Sequence, residues 1–247
     1  MLKVERQAGV VVVRIEHGKV NALDLELLLS LADTMEGLID DGVVLTGSGS
    51  SFSAGVDLRQ IVAGDALYTD AFLDALSRAL LGVFRHPRPV VAAVNGHAIA
   101  GGCVLAAAAD VRLMSGGSIG LTELRVGVPF PTAAVEILRY AVGPAIHPLA
   151  LFAELHDARQ AQAVGLVHAV CTPERLVDEA VGRATGLAAI APETFALTKR
   201  QLHAPAEARI AERTEHDDAE VHRRWKSADA RAEIGAFLIG LNKSIRR

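Results

Sequence analysis

The sequence predicts an α/β fold, and three observations predict it. Apolar, β-branched runs alternate with amphipathic stretches as far as about residue 170, as in strands joined by helices. One run, Val90-Val91-Ala92-Ala93-Val94, is apolar at every position, which fits a strand buried on both faces of a parallel sheet. From Glu174 onward every stretch reads as helix and is rich in Arg, Glu and His. Those closing helices are expected on the outside of the core or against another subunit.

Val10–Ile15 is a dense β-branched run and predicts a strand. Asp24 is placed to cap a helix over 25–39, with Leu27, Leu28, Leu31, Met35 and Leu38 on one side. Asp41-Gly42 turns the chain into a strand at Val43–Thr46, and a small-residue loop runs from Gly47 to Gly55. Residues 57–64 fit neither period. Leu67–Phe84 is helical by period, and Pro87 and Pro89 stop it. After the apolar strand come Gly96, Gly101 and Gly102, then a helix of Ala and Leu over 103–109.

A strand over 110–114 leads through Gly116-Gly117 into a short strand over 118–121. Gly127, Pro129 and Pro131 mark irregular chain. Helices follow over 132–142 and 144–155, with strand-like chain over 165–170. The last predicted helices cover 174–189, 192–202, 207–225 and 228–241.

Composition narrows the function. With 247 residues, 51% hydrophobic and 22% charged, the chain is long enough to bury a large core. A formal net charge of −4 and 4% aromatics argue against a nucleic-acid partner. Cys103 and Cys171 are too few for a disulfide framework, so a reducing cytoplasm is the expected compartment. Met1–Val10 interleaves charges and has no apolar signal region, and no uninterrupted apolar run is long enough to span a membrane.

Two segments offer main-chain donors. In Ser51-Phe52-Ser53-Ala54-Gly55-Val56-Asp57-Leu58, Gly55 permits a turn that points the Val56 N–H outward. The pair Gly101-Gly102 opens a helix whose first N–H groups have no helical partner and sit at the positive end of its dipole. Neither segment brings a cationic side chain before Arg59. Together they suit an oxygen that becomes negative only during a reaction. Glu123 lies among apolar residues, where burial makes a carboxylate a stronger base.

Metal and nucleotide motifs do not fit. The histidines show no HExxH or Cys/His zinc spacing, Gly47-Ser48-Gly49 has Phe52 at the third glycine position, and no phosphate loop exists. One rival remains. Gly116-Gly117-Ser118-Ile119-Gly120 has the form of a nucleophile elbow, with Asp157 and His168 following in triad order. It lacks room for the helix that must follow Ser118.

Taken together, Asn21-Ala22-Leu23, Phe52 to Leu58, Val94 to Cys103 and Ile119 to Pro129 resemble the crotonase (enoyl-CoA hydratase/isomerase) superfamily, in order and spacing over nearly the whole chain. The resemblance implies a crotonase-like spiral of ββα units over residues 1–190 that binds acyl-CoA. It also implies a helical oligomerisation region over 191–247 that builds a homotrimer or a dimer of trimers. No cofactor is implied, coenzyme A being part of the substrate. By position, Val56 and Gly101 look like the oxyanion-hole donors and Glu123 like the catalytic acid/base. Ala22, Ala54, Asp57, Leu58 and Arg59 look like the coenzyme A surface. The helix over 67–84, with the loop before it, is expected to line the acyl pocket.

The sequence also departs from the family pattern. The earlier of the two glutamates that hydratases of this family use falls at Val104, which moves no proton. A single glutamate is enough to shift a proton between C2 and C4, as in Δ3,Δ2-enoyl-CoA isomerases. The lysine that some members place in the last helix has no match nearer Phe237 than Lys243. Isomerisation is thus the leading expectation. Hydration with Glu123 and a second carboxylate such as Glu136 is an alternative. A catalytically silent acyl-CoA-binding protein and a serine hydrolase are the others.

Overall fold

A computed structural model describes residues 1–245, with side chains as far as Leu241. Lys243 therefore lies outside the described side chains. Among the described residues ten strands form two sheets. The first contains β1 (Leu2–Gln7), β2 (Val10–Ile15), β3 (Val43–Gly47), β5 (Val90–Val94), β7 (Val111–Met114) and β10 (Ala169–Val170), side by side in that order. The second contains β4 (Ser51–Ser53), β6 (His97–Ile99), β8 (Ser118–Gly120) and β9 (Leu155–Asp157). Each turn of chain gives one strand to each sheet: β3 then β4, β5 then β6, β7 then β8. That repeat is the spiral of ββα units.

β2, β3, β5, β7 and β10 run parallel, as do β4, β6 and β8. The first sheet is covered on both faces, which is why its strands read as unbroken apolar runs. Val11, Val13, Val43, Leu45, Ala92 and Val94 face the main core. Val10, Val12, Val44, Val91 and Ala93 face α9 (Leu176–Ala188) through its Ala180, Val181 and Ala184.

Most helices lie where the periodicity places them. α1 (Leu25–Gly37) is capped by Asp24, whose carboxylate accepts from Leu27 N–H at 2.8 Å. α2 (Leu58–Ala63) resolves the ambiguous stretch, with Asp57 as its cap. α3 (Ala66–Phe84) lies against α1, and Arg78 binds Asp33 and Glu36 across that contact. α4 (Gly101–Ala107) follows β6, α5 (Glu123–Val126) follows β8, and α6 (Thr132–Val142) packs on the long helix near the C-terminus.

Several expectations are corrected. No strand is expected over 2–7, because three of its six residues are charged and all but Leu2 are exposed. β1 is an antiparallel edge strand turned at Ala8 (φ +48°) and Gly9 (φ +82°). The helix expected over 144–155 is a 3-10 turn plus α7 (Ile146–Phe152), ended by Ala153 at φ +52°. The strand-like chain over 165–170 is a strand only at Ala169–Val170, and two short helices appear where none is expected, α5 before Gly127 and α8 (Ala158–Ala163), the latter closed by an Asp157–Gln160 capping box.

The two helices expected around Pro205 are one, α10 (Pro192–Trp225). Proline removes one helical hydrogen bond, but tertiary anchors hold the axis there. Lys199 Nζ binds Asp110 at 2.9 Å, and the His203 ring stacks on Phe84 at 3.8 Å. α11 (Ala228–Ile245) then returns across the molecule to contact α2 and α5. Among the described residues no helix is long and apolar enough to cross a membrane.

Candidate functional site

Two main-chain segments from different turns of the spiral meet beside Leu23. Leu23 N–H donates to Gly55 O at 2.7 Å, and Asp57 N–H donates to Leu23 O at 2.9 Å. These bonds bracket Val56 as in a parallel bridge. Alternation along an extended chain turns the Val56 N–H to the opposite side from Leu23. Gly55 makes this possible at φ +83°, and a Cβ there would lie 2.5 Å from Ile99 O and 3.4 Å from Gly101 N.

The second segment arrives through β6. Ala100 is held at φ +51°, ψ −121°, a conformation that residues with a side chain rarely adopt. It is fixed from both sides: Ala100 N–H donates to Gly120 O at 2.8 Å, and Ala100 O accepts from Val104 N–H at 3.1 Å. That last bond is the first of α4, so the Gly101 amide precedes the helical ladder. A Cβ on Gly101 would meet Leu23 Cδ1 at 3.1 Å and Val56 Cγ2 at 3.7 Å. Among the described residues neither the Val56 nor the Gly101 N–H has an acceptor.

Glu123 begins α5 and is 9% exposed. Its Oε2 is buried without a hydrogen-bond partner. Burial pushes its pKa from the ordinary 4.5 to about 8, against the opposing effect of backbone hydrogen bonds at Glu123 and Thr122. Arg125, which could have paired with it, is exposed and makes no such contact.

Val56 and Glu123 border a cleft of about 740 Å³. Ala22, Ala54, Val56, Asp57, Leu58, Arg59 and Glu123 line it. Gly101 sits just behind the wall formed by Ile99 and Ala100. Asp57 is occupied as a helix cap, accepting from Arg59 N–H at 3.0 Å and Gln60 N–H at 3.4 Å. The Arg59 guanidinium has no carboxylate partner among the described residues.

The expectation that residues 67–84 line this cleft is wrong: none of them does. Their apolar face is spent on α1 and the core. Phe237, Leu238 and Leu241 of α11 and Trp225 take that place. His17 to Val20 also border the cleft, with His17 Nε2 and Asp24 Oδ2 2.6 Å apart. Trp225 and the α11 residues escape a sequence reading because folding brings them in from far along the chain. Only the apolar period of 228–241 could have signalled α11.

The rival residues are accounted for elsewhere. Val104 is buried in the core. Glu136, the alternative second carboxylate, is away from the cleft and binds Arg209 and Arg139. Glu136→Gln is therefore expected to leave turnover unchanged. It should cost on the order of 1 kcal/mol in a melting experiment, because both arginines are partly exposed and can turn to solvent.

Ser118 lies within β8, paired with Asp157 across an antiparallel ladder, so no strand-to-helix elbow exists there. His168 accepts from Arg112 N–H at 3.0 Å, and burial lowers its pKa to about 4. Cys103 is buried, and burial pushes its thiol up.

The chain's likeness to known proteins covers nearly its whole length. The family described as Enoyl-CoA hydratase/isomerase matches residues 5–239. A Thermus thermophilus protein named for enoyl-CoA hydratase is 35% identical over 212 residues, 82% of this chain and 83% of that one. Human mitochondrial enoyl-CoA delta isomerase 1 is 28% identical over 219 residues, 85% of this chain and 72% of that one. The crystal structure of human mitochondrial delta3-delta2-enoyl-CoA isomerase superposes with a TM-score of 0.92 at 26% identity, covering 98% of each chain. The paired amides, the buried glutamate and this breadth of likeness point one way: the chain belongs to the enoyl-CoA hydratase/isomerase family.

Proposed function

We propose that the chain is a Δ3,Δ2-enoyl-CoA isomerase that uses Glu123 as its single acid and base. The observation that carries this reading is the unpartnered, buried Oε2 of Glu123 on a cleft whose other carboxylate, Asp57, is committed to capping α2. Among the described residues lining the cleft, water addition by two carboxylates has no second free group to use.

In this reading the thioester oxygen sits between the Val56 and Gly101 amides. Glu123 Oε2 takes a proton from C2 of a 3-enoyl thioester. The C2–H electrons move toward the carbonyl, giving a dienolate whose oxygen the two amides hold. The same carboxyl then returns the proton at C4, and the double bond settles between C2 and C3. Each well-aimed donor is worth about 2.7–4 kcal/mol in the transition state. A base held near 8 is better matched to a weak carbon acid than an ordinary carboxylate. Ala22, Ala54 and Leu58 would take the coenzyme A surface, with Asp57 shaping the turn and Arg59 reaching a phosphate. Residues 191–247 would serve assembly as a trimer or a dimer of trimers. No cofactor besides the substrate's own coenzyme A is needed.

The pH dependence has a fixed sign. Glu123 works only when ionised, so kcat/KM should rise about tenfold per pH unit below about 8 and level off above it. A profile flat from the acid side through the alkaline side removes Glu123 as the base.

The direct test supplies a 3-enoyl-CoA and crotonyl-CoA in parallel assays. Isomerisation well above hydration is expected. The 35% identical relative named for hydratase keeps the second reading open, and hydration at a comparable rate establishes it. Acyl-CoA binding with no exchange of the C2 proton into deuterated water establishes a silent binder instead.

A further inference from the structure

We propose that Trp225 sets the length of acyl chain that the cleft accepts. This rests on reading the cleft as an acyl-thioester site.

The lining of the cleft has a polar part and an apolar part. His17, Lys19, Asp57 and Arg59 border the first part. Val126, Val128, Phe237, Leu238 and Trp225 border the second, where the exposed Arg125 is the exception. A thioester bound with its oxygen at the two amides directs its polar carrier to the first part and its hydrocarbon to the second.

The apolar walls differ in how far they can yield. Phe237 and Leu238 are only half-buried, on α11. Trp225 is 2% exposed and among the largest buried side chains. Its Nε1–H donates to Pro129 O at 2.9 Å, in the loop that follows Glu123's own helix. Behind it, the Phe72 ring lies 6.3 Å away in the main core. Turning the indole aside would strand a buried donor and push into close-packed side chains.

A straight acyl chain that grows past the indole therefore meets a fixed wall. The class of substrate expected is an unbranched acyl chain with a sharp upper limit. Added methylenes should help until the terminal methyl reaches the ring and should hinder beyond that point.

The test measures dissociation constants for saturated acyl-CoAs from butyryl to palmitoyl, so it does not depend on turnover. For the unmodified protein, affinity should rise with length and then fall steeply. Trp225→Leu should move the fall to longer chains and raise the long-to-short affinity ratio at least about tenfold. Leu238→Trp should move it to shorter chains. Trp225→Phe, which keeps a ring, should move it little.

If Trp225→Leu does not fold, the shift in Leu238→Trp decides. Folded variants whose profiles keep the original limit, or whose affinities fall equally at every length, overturn the proposal. A shifted limit without isomerisation overturns only the reaction proposed above. No acyl-CoA binding at all overturns both.

Discussion

Glu123→Gln is expected to lower kcat for isomerisation by about 10³–10⁴-fold while leaving acyl-CoA affinity nearly intact, since a single general acid/base contributes about 10²–10⁴ and here one group serves both proton transfers. The amide is almost isosteric with the acid and can neither take nor return the proton. The same substitution should stabilise the fold at alkaline pH. Glu123 has a folded pKa of about 8 against an ordinary 4.5, so between those values the folded state holds the proton more tightly than the unfolded one. Stability then falls as pH rises through that window. Above about pH 8 the unmodified protein carries the full cost of a buried, unpartnered charge, and Gln removes it. The variant should melt higher than the parent at pH 9, with the difference vanishing near pH 4. A Glu123→Gln protein with unchanged turnover would refute the mechanism. Equal melting at both pH values would mean that the carboxylate is solvated after all.

Much of this site was legible in the chain because its chemistry rests on local rules. Gly55 and Gly101 announce themselves as positions where backbone must turn or approach closely, and the structure brings them together at Leu23. Asp24 reads as a cap because a short acceptor before an apolar helix has few other uses, and it caps α1. The parallel strands read correctly because both of their faces are buried. What failed was non-local. Leu73 and Leu76 of α3 look as suitable for an acyl pocket as Phe237 and Leu238 do. Only the route of the chain decides that the first pair fills the core and the second borders the cleft. Pro205 reads as a break because its missing bond is a local fact, while the Lys199 and His203 contacts that anchor the continuous α10 reach Asp110 and Phe84. β1 shows the same limit: its pairing with β2, rather than any burial, makes it a strand.

Gly55→Ala should cost turnover about 10²–10³-fold together with stability, and the two losses have separable causes. At φ +83° an added side chain is strained in any surroundings, by about 1–2 kcal/mol. Here the new Cβ would also lie 2.5 Å from Ile99 O and 3.1 Å from Ala100 Cβ. Neither neighbour can retreat cheaply. Ile99 is paired to Gly120 in the β6–β8 ladder, and Ala100 N–H is bound to Gly120 O. The segment carrying Val56 must therefore move away from the one carrying Gly101, and the two amides no longer converge on one oxygen. Losing one such donor costs about 10²–10³ in kcat. Gly49→Ala is the control. Gly49 has φ +64°, but nothing lies within 4 Å of its added Cβ, and it does not border the cleft. It should show the backbone cost alone, a lower melting temperature with kcat preserved. If Gly55→Ala behaves like Gly49→Ala, losing stability but keeping kcat, the paired amides are not what holds the developing charge.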